Sequence, residues 1–316
     1  MKIKYLLLLI TSLLLFACER QAQWNGDAFF EQAFELIKEK SIKKNELDWV
    51  ELKQTVLDSI KEFDSNKKVY NAIGYIIKLI DDGHSKFIPA NTPNRLTVDT
   101  LHIPEIETKV LDNNIAYIKL SGFMANDSLS KQYALNIRKS LLSLDDNSNL
   151  SGWIIDLRKN TGGKTSNESL GIAPLFQDSL IGISRNNNNE FRKIFCTPKY
   201  FTFSKFAIDS LIYDSHVNNR DKKIAVLVSD QTASAGEFLA LALKFQNNTK
   251  VFGEKTKGKT SHLLLFEFKS DAKLLLAVEK YCDKNKNLVS RGIEPDIECT
   301  PEESLNKAIE WIKNAL

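Results

Sequence analysis

Apolar residues along this chain change their spacing twice, and the changes divide it into three stretches. An apolar run from Tyr5 to Phe16 comes first and gives way to a polar stretch that reaches about Gly26. From there the spacing is three and four. Phe29, Phe30, Ala33, Phe34 and Ile37 make a one-faced stripe, the pattern of an amphipathic helix. A second segment of this kind runs over about 47–63 and a third over about 69–80, with the turn formers Asp64-Ser65-Asn66 between them. Gly83 is placed to end the third helix near His84. The pattern predicts a small helical subdomain over 27–92.

Beyond it the pattern becomes strand-like in short pieces. Ile115-Ala116-Tyr117-Ile118-Lys119-Leu120 reads as a strand, and Ser128 to Leu144 has helical spacing. Trp153 to Leu157 is an apolar run that ends in a charged, glycine-containing loop, and Lys223 to Ser229 repeats the design with a helix, Ala235 to Phe245, after it. Val251-Phe252-Gly253 makes a further short strand, Leu263–Phe268 and Leu274–Tyr281 a strand pair, and 302–314 a closing helix. Alternation of strand and helix predicts an α/β core over 93–316.

The first stretch is a targeting signal. Lys2 and Lys4 precede the apolar run and Ala17 follows it, so 1–17 reads as a secretory signal peptide, too short to span a bilayer comfortably. Leu15-Phe16-Ala17-Cys18 also resembles the lipobox of bacterial lipoproteins, which implies acylation of Cys18 and 18–26 as a tether to the membrane. The expected location is the cell envelope, periplasmic or surface-facing. In that oxidising setting one pair among Cys196, Cys282 and Cys299 could bridge, leaving one thiol. Their spacing is not that of a metal site, and neither a metal nor a cofactor is expected.

Composition changes little in this picture. Of 316 residues 43% are hydrophobic and 26% charged, with a net charge of +3, enough for a full core without staples. No basic cluster sits among aromatics that could stack on bases, so nucleic acid is not an expected partner.

Four segments carry candidate chemistry, and each has an ordinary explanation. Asp82-Gly83-His84-Ser85 puts a histidine just past a helix end, where it is commonly a surface or capping residue. Gly162-Gly163, after the strand ending at Asp156-Leu157-Arg158, can simply turn the chain, or can aim backbone N–H groups at a developing oxyanion. Ser234 and Glu237 fit the S-x-x-E capping box. The same serine, at a strand-to-helix turn among Ala233, Ala235 and Gly236, also suits a nucleophile. Gly253 to Thr260 has the order of a phosphate loop, but the segment after it alternates like a strand, so the helix N-terminus that cradles a phosphate is absent.

Taken in order, the segments resemble the peptidase family of the C-terminal processing (tail-specific) proteases, the tricorn core protease and the retinoid-binding repeats of photoreceptor matrix. The matching positions are 82–85, the 115–120 strand with Phe123, 156–158 with Asn160 and Gly162-Gly163, 234–237, 253–259 and 292–296. The resemblance covers about 25–300. It implies a crotonase-like α/β core behind a helical subdomain, and hydrolysis of peptide bonds through an acyl-enzyme on Ser234. The N–H of Ala235 and the Gly162-Gly163 turn would hold the oxyanion, and peptides or unfolded proteins would be the substrates.

The family divides over the base. Its tail-specific branch pairs serine with a lysine, and Lys259 stands 25 residues after Ser234 at that position. Its tricorn-like branch uses the histidine, here His84, supported by an acid where this chain has Val289; the nearest acid, Asp283, does not align. A lysine base must lose about three units of pKa, roughly 4 kcal/mol, whereas histidine needs a partner to orient it. With the lysine in place and the acid missing, Lys259 is the favoured base and His84 the alternative. Only Phe87 to about Glu107 separates the histidine segment from the core, too little for a PDZ module, so tail capture on a PDZ edge is not expected. A non-catalytic ligand-binding protein on the same scaffold, or a coenzyme A enzyme of the crotonase-like group, are the rival readings. The first leaves the serine, the lysine and both glycines without purpose, and export argues against the second.

Overall fold

The structure is a computed structural model that describes residues 25–60, 63–92, 102–146, 149–213 and 216–314. The signal peptide, Cys18 and most of the tether lie outside the described residues.

Three helices open the described chain: α1 (Gly26–Lys40), α2 (Trp49–Ser59) and α3 (Asn66–Ile80). Asn25 caps α1 by accepting from Ala28 N, and Asp48 caps α2 by accepting from Val50 N and Glu51 N. The stripe read from the sequence is buried at Phe29, Phe30, Ala33, Phe34 and Ile37. α3 stops earlier than Gly83: Asp81 takes the left-handed C-cap, φ 46°, which suits a short polar side chain. The helices do not close a core by themselves. Their apolar cluster includes Phe268, Ala272, Leu274, Leu276 and Val278, which belong to or adjoin a late strand.

That strand, β12, lies in a seven-stranded sheet. Its members are β1 (Lys86–Ile88), β5 (Leu180–Asn186), β6 (Phe191–Cys196), β7 (Tyr200–Phe203), β8 (Phe206–Ser210), β11 (Ser261–Glu267) and β12 (Lys273–Cys282). The expected pair over 263–281 is the antiparallel β11–β12 hairpin. The meander β5–β8 went unread in the sequence.

The second sheet has six strands in the order β13-β10-β9-β4-β3-β2: β2 (Glu107–Leu111), β3 (Ile115–Lys119), β4 (Gly152–Asp156), β9 (Lys223–Val228), β10 (Thr249–Gly253) and β13 (Ile297–Glu298). β2 is antiparallel to β3, and the other pairings are parallel. Both faces are covered, as parallel strands require. Ala116, Ile118, Trp153, Ile155, Ile224 and Val226 point into the main core, with α4 (Asp127–Asp145), α5 (Thr165–Ile172) and α6 (Ala235–Lys244). The alternate residues Ile115, Tyr117, Ile154, Ala225 and Leu227 face α7 (Pro301–Lys313) through Ala308 and Ile312. Each fully buried large aliphatic side chain here contributes about 1.5–3 kcal/mol.

The disulfide that export would permit is not formed: Cys196, Cys282 and Cys299 are free and buried. All three pack among apolar side chains in the two sheet cores, so side-chain packing accounts for them. The glycine-rich segment at 253–260 runs directly into strand β11, as its alternation implied. Among the described residues no helix is long and apolar enough to cross a membrane.

Candidate active site

Ser234 stands where β9 turns into α6. The turn is pinned to the neighbouring strand end: Thr232 Oγ1 donates to Leu157 O at 2.8 Å, and Ser229 Oγ to Arg158 O at 2.6 Å. The backbone of Ser234 is left-handed, φ 54° and ψ −115°, an unfavourable conformation for a residue with a side chain. Such strain costs about 1–3 kcal/mol and places the side chain on the rim of the sheet, as in a nucleophile elbow.

Its hydroxyl faces His84, which lies in the loop between α3 and β1. His84 Nε2 is 3.0 Å from Ser234 Oγ, and Nδ1 is 2.8 Å from Ser261 Oγ. With Nδ1–H donating to Ser261, Nε2 keeps its lone pair for the Ser234 O–H. The His84 loop is stiffened by Asp82, whose carboxylate accepts from His84 N at 2.9 Å, Ser85 N at 2.7 Å and Ser85 Oγ at 2.5 Å. Burial and then the positive charge of Lys259 push the imidazole down to about 4, with Asp82 working in the opposite direction. It is therefore neutral, and able to accept a proton, throughout the neutral range.

Lys259 is placed differently. Its side chain is exposed, and its backbone N–H donates to Glu237 Oε2 at 2.8 Å. Glu237 is fully buried and joins the nucleophile turn to the lysine loop. Besides Lys259 N it accepts from Ser234 N at 2.8 Å, Gly258 N at 2.7 Å and Thr256 Oγ1 at 2.5 Å. The glutamate reaches back to the helix N-terminus as a capping box requires, and the serine above it faces the imidazole. The cap and the candidate nucleophile occupy one position.

The two glycines read as oxyanion donors lie between β4 and α5. Gly162, at φ +102°, abuts the serine; a Cβ there would sit 2.7 Å from Ser234 Cβ. Its N–H is already engaged, donating to Asn160 Oδ1 at 2.9 Å. Gly163 packs against Phe123 and Glu168. Ala235 is the first residue of α6, where backbone N–H groups lack intrahelical partners.

The structure thus brings Ser234, His84, Gly162, Gly163 and Ala235 together, and carries Lys259 close enough for its charge to act on His84. Ser261 escaped the sequence reading, because a serine opening a strand carries no local signal. Val289 adds no charge, and Asp283 is spent in a tight turn, accepting from Asn287 N at 2.8 Å. The His84 imidazole is oriented by a hydroxyl.

A serine hydroxyl against an imidazole, at a strand-to-helix turn of an α/β core, is the arrangement of a serine hydrolase. Residues 114–299 match the model of peptidase family S41, more than half of the chain, and the chain belongs to that family of serine peptidases. The resemblance read from the motifs is borne out. Nisin-resistance protein of Lactococcus lactis subsp. lactis is 25% identical over 272 residues, covering 85% of this chain and 81% of that one. Carboxyl-terminal-processing peptidase 2, chloroplastic, of Arabidopsis thaliana is 27% identical over 250 residues, 77% of this chain and only 44% of its own length. The chain therefore spans less than half of that longer relative. Among solved structures, a lipoprotein from Streptococcus agalactiae has a similar fold (TM-score 0.76, 19% identity, 93% of this chain and 98% of that one). The photosystem II D1 C-terminal processing protease is a further fold relative (TM-score 0.59, 15% identity, 92% and 98%).

Proposed function

We propose that the chain is an endopeptidase in which Ser234 attacks the scissile carbonyl and His84 is the general base. The 3.0 Å contact between Ser234 Oγ and a neutral His84 Nε2 carries this reading. His84 takes the hydroxyl proton as Oγ attacks and returns it to the leaving amine as the C–N bond breaks. Water then repeats the sequence on the acyl-enzyme. The oxyanion is held by the N–H of Ala235 and, with Gly162 N–H engaged by Asn160, by that of Gly163. This reading exchanges the roles that the motif spacing suggested. A lysine base works in a dry pocket that disfavours its charge, and Lys259 is exposed. Lysine acts here as a nearby positive charge.

The core is read as crotonase-like, with 27–92 as the helical subdomain. Peptides or unfolded proteins at the cell envelope are the proposed substrates, and an acylated Cys18 the proposed anchor. The relative named for nisin resistance makes nisin a natural second test substrate beside casein.

The test is peptide release from casein and nisin by the fragment starting at Gln21, beside Ser234→Ala, His84→Ala and Lys259→Ala. Activity is expected in the parent and in Lys259→Ala, with losses of at least about 10³-fold in the other two. Abolition by Lys259→Ala with survival of His84→Ala would reverse the assignment of the base. No cleavage by the parent would favour a ligand-binding protein.

A further inference from the structure

Asn160 is fully buried between the glycine turn and the nucleophile turn, and it bonds to both. Its Oδ1 accepts from Gly162 N at 2.9 Å, and its backbone carbonyl accepts from Ala233 N at 2.9 Å. Gly236, in the first turn of α6, lies flat against it; a Cβ there would meet Asn160 O at 2.7 Å. The remaining amide group, Nδ2, donates to Glu168 Oε2 at 2.9 Å. One buried amide thus ties the turn beside the serine to a carboxyl on α5.

Glu168 is an unusual carboxyl to find there. It is 1% exposed, and among the described residues it makes no ion pair. Its other oxygen lies 3.5 Å from Phe123 N and against Gly163, where a Cβ would be 2.3 Å away. From α4 the titratable group facing it is Tyr133, whose hydroxyl donates to Ser121 O at 2.5 Å. From the start of its own helix, Lys164 reaches away to Asp127 and Asp209.

Resting on the peptidase reading above, we propose that Glu168 is a positioning residue: as a carboxylate it fixes the orientation of the Asn160 amide, and through it the oxyanion turn beside Ser234. The reason is donor and acceptor matching. An ionised carboxylate only accepts, so Nδ2 must face Glu168 and Oδ1 must face Gly162 N–H. A protonated carboxyl carries an O–H and can hold Oδ1 instead. The amide then turns Nδ2 toward Gly162 N–H, two donors meet, and the turn loses its anchor. Burial pushes Glu168 up to about 7, so the exchange between the two states falls at neutral pH. It is well separated from His84, at about 4.

Two readouts test this. In kcat, the wild type shows an acid-side fall through about pH 7 that Glu168→Gln removes, because glutamine keeps an acceptor for Nδ2 and has no proton to gain. Glu168→Leu lowers kcat by up to about 10²-fold with KM little changed, the lower end of the effect of losing one oxyanion donor. The second readout needs no turnover. In protein labelled with ¹⁵N-glycine, the Gly162 amide resonance should move with one midpoint near neutral pH in the wild type and stay still in Glu168→Gln. Gly74, remote on α3, serves as the control. A Gly162 signal that does not titrate, or one that titrates identically in Glu168→Gln, overturns the proposal even if Glu168→Leu fails to fold. Because this signal is independent of peptide cleavage, failure of the peptidase reading and failure of the positioning role give different results.

Discussion

Ser234 is held from three directions: by Glu237 beneath its N–H, by His84 on its hydroxyl and by Gly162 against its Cβ. His84 has no carboxylate on Nδ1, only the Ser261 hydroxyl, so its protonated form gains little stabilisation and its basicity is low. Lys259 depresses it further, and that sets the sign of a prediction. Lys259→Met removes a positive charge, raises the pKa of His84 and moves the His84 limb of the kcat/KM profile, which lies below the fall assigned to Glu168, to higher pH. A pH profile checks it, and an unmoved His84 limb would sink the electrostatic role. Most of this site was legible in the sequence because its residues lie in short motifs with rigid local requirements: a strand-to-helix serine, paired glycines, a histidine past a helix end. The surroundings of the two candidate bases were not legible. Spacing puts Lys259 in register but cannot show that its side chain is exposed, nor that Ser261, 177 residues from His84 in sequence, closes on the imidazole.

α6 is the element on which the site stands, and it is held from below by aromatic packing. Phe238, one turn from Ser234, is 1% exposed, with its ring centroid 4.8 Å from that of Tyr281 and 6.4 Å from that of Phe201. Phe238→Ala should cost about 3–5 kcal/mol in urea unfolding and lower kcat as the helix N-terminus loosens. A loss below about 1 kcal/mol would show that the helix is held by its cap and not by this packing. The amphipathic helices were readable by their one-faced stripes, and β3, β4 and β9 as short, almost wholly buried apolar runs, whereas α5, buried from Ser166 to Ile172, was not read. The β5–β8 meander was also not read: its short strands mix charged and polar residues with apolar ones, as in Ser184-Arg185-Asn186 of β5 and Arg192-Lys193 of β6, and β8 exposes Phe206 and Ile208. The run Asn186 to Asn189 was nonetheless a usable turn signal between β5 and β6, with Asn189 at φ 63°.

For the molecule as a whole, pH acts on stability through partly buried histidines. His262 stacks on Phe203 with ring centroids 4.5 Å apart, and burial, with Arg192 and His84 nearby, pushes it down to about 4. Unfolded, it titrates at about 6.5, so as pH falls through that window the unfolded chain takes up the proton first. Stability is present above about 6.5 and is lost towards 4, by up to about 3 kcal/mol for this group. His262→Phe should therefore be stabilised relative to the wild type at mildly acidic pH and not at pH above neutrality. Equal differences at both, measured by urea unfolding, would refute the linkage.

His84 and Ser234 are 150 residues apart in sequence, and Ser261 is later still. His84 leaves the helical end of the chain, Ser234 leaves the parallel sheet, and Ser261, which orients the imidazole, opens a strand of the other sheet. No contiguous piece short of 84–261 contains the three groups. A chain still being synthesised cannot bring His84, Ser234 and Ser261 together until most of its length has emerged and both sheets have formed. On the proposed assignment, assembly of the site waits on completion of the fold, a consequence of the order of three residues along the chain.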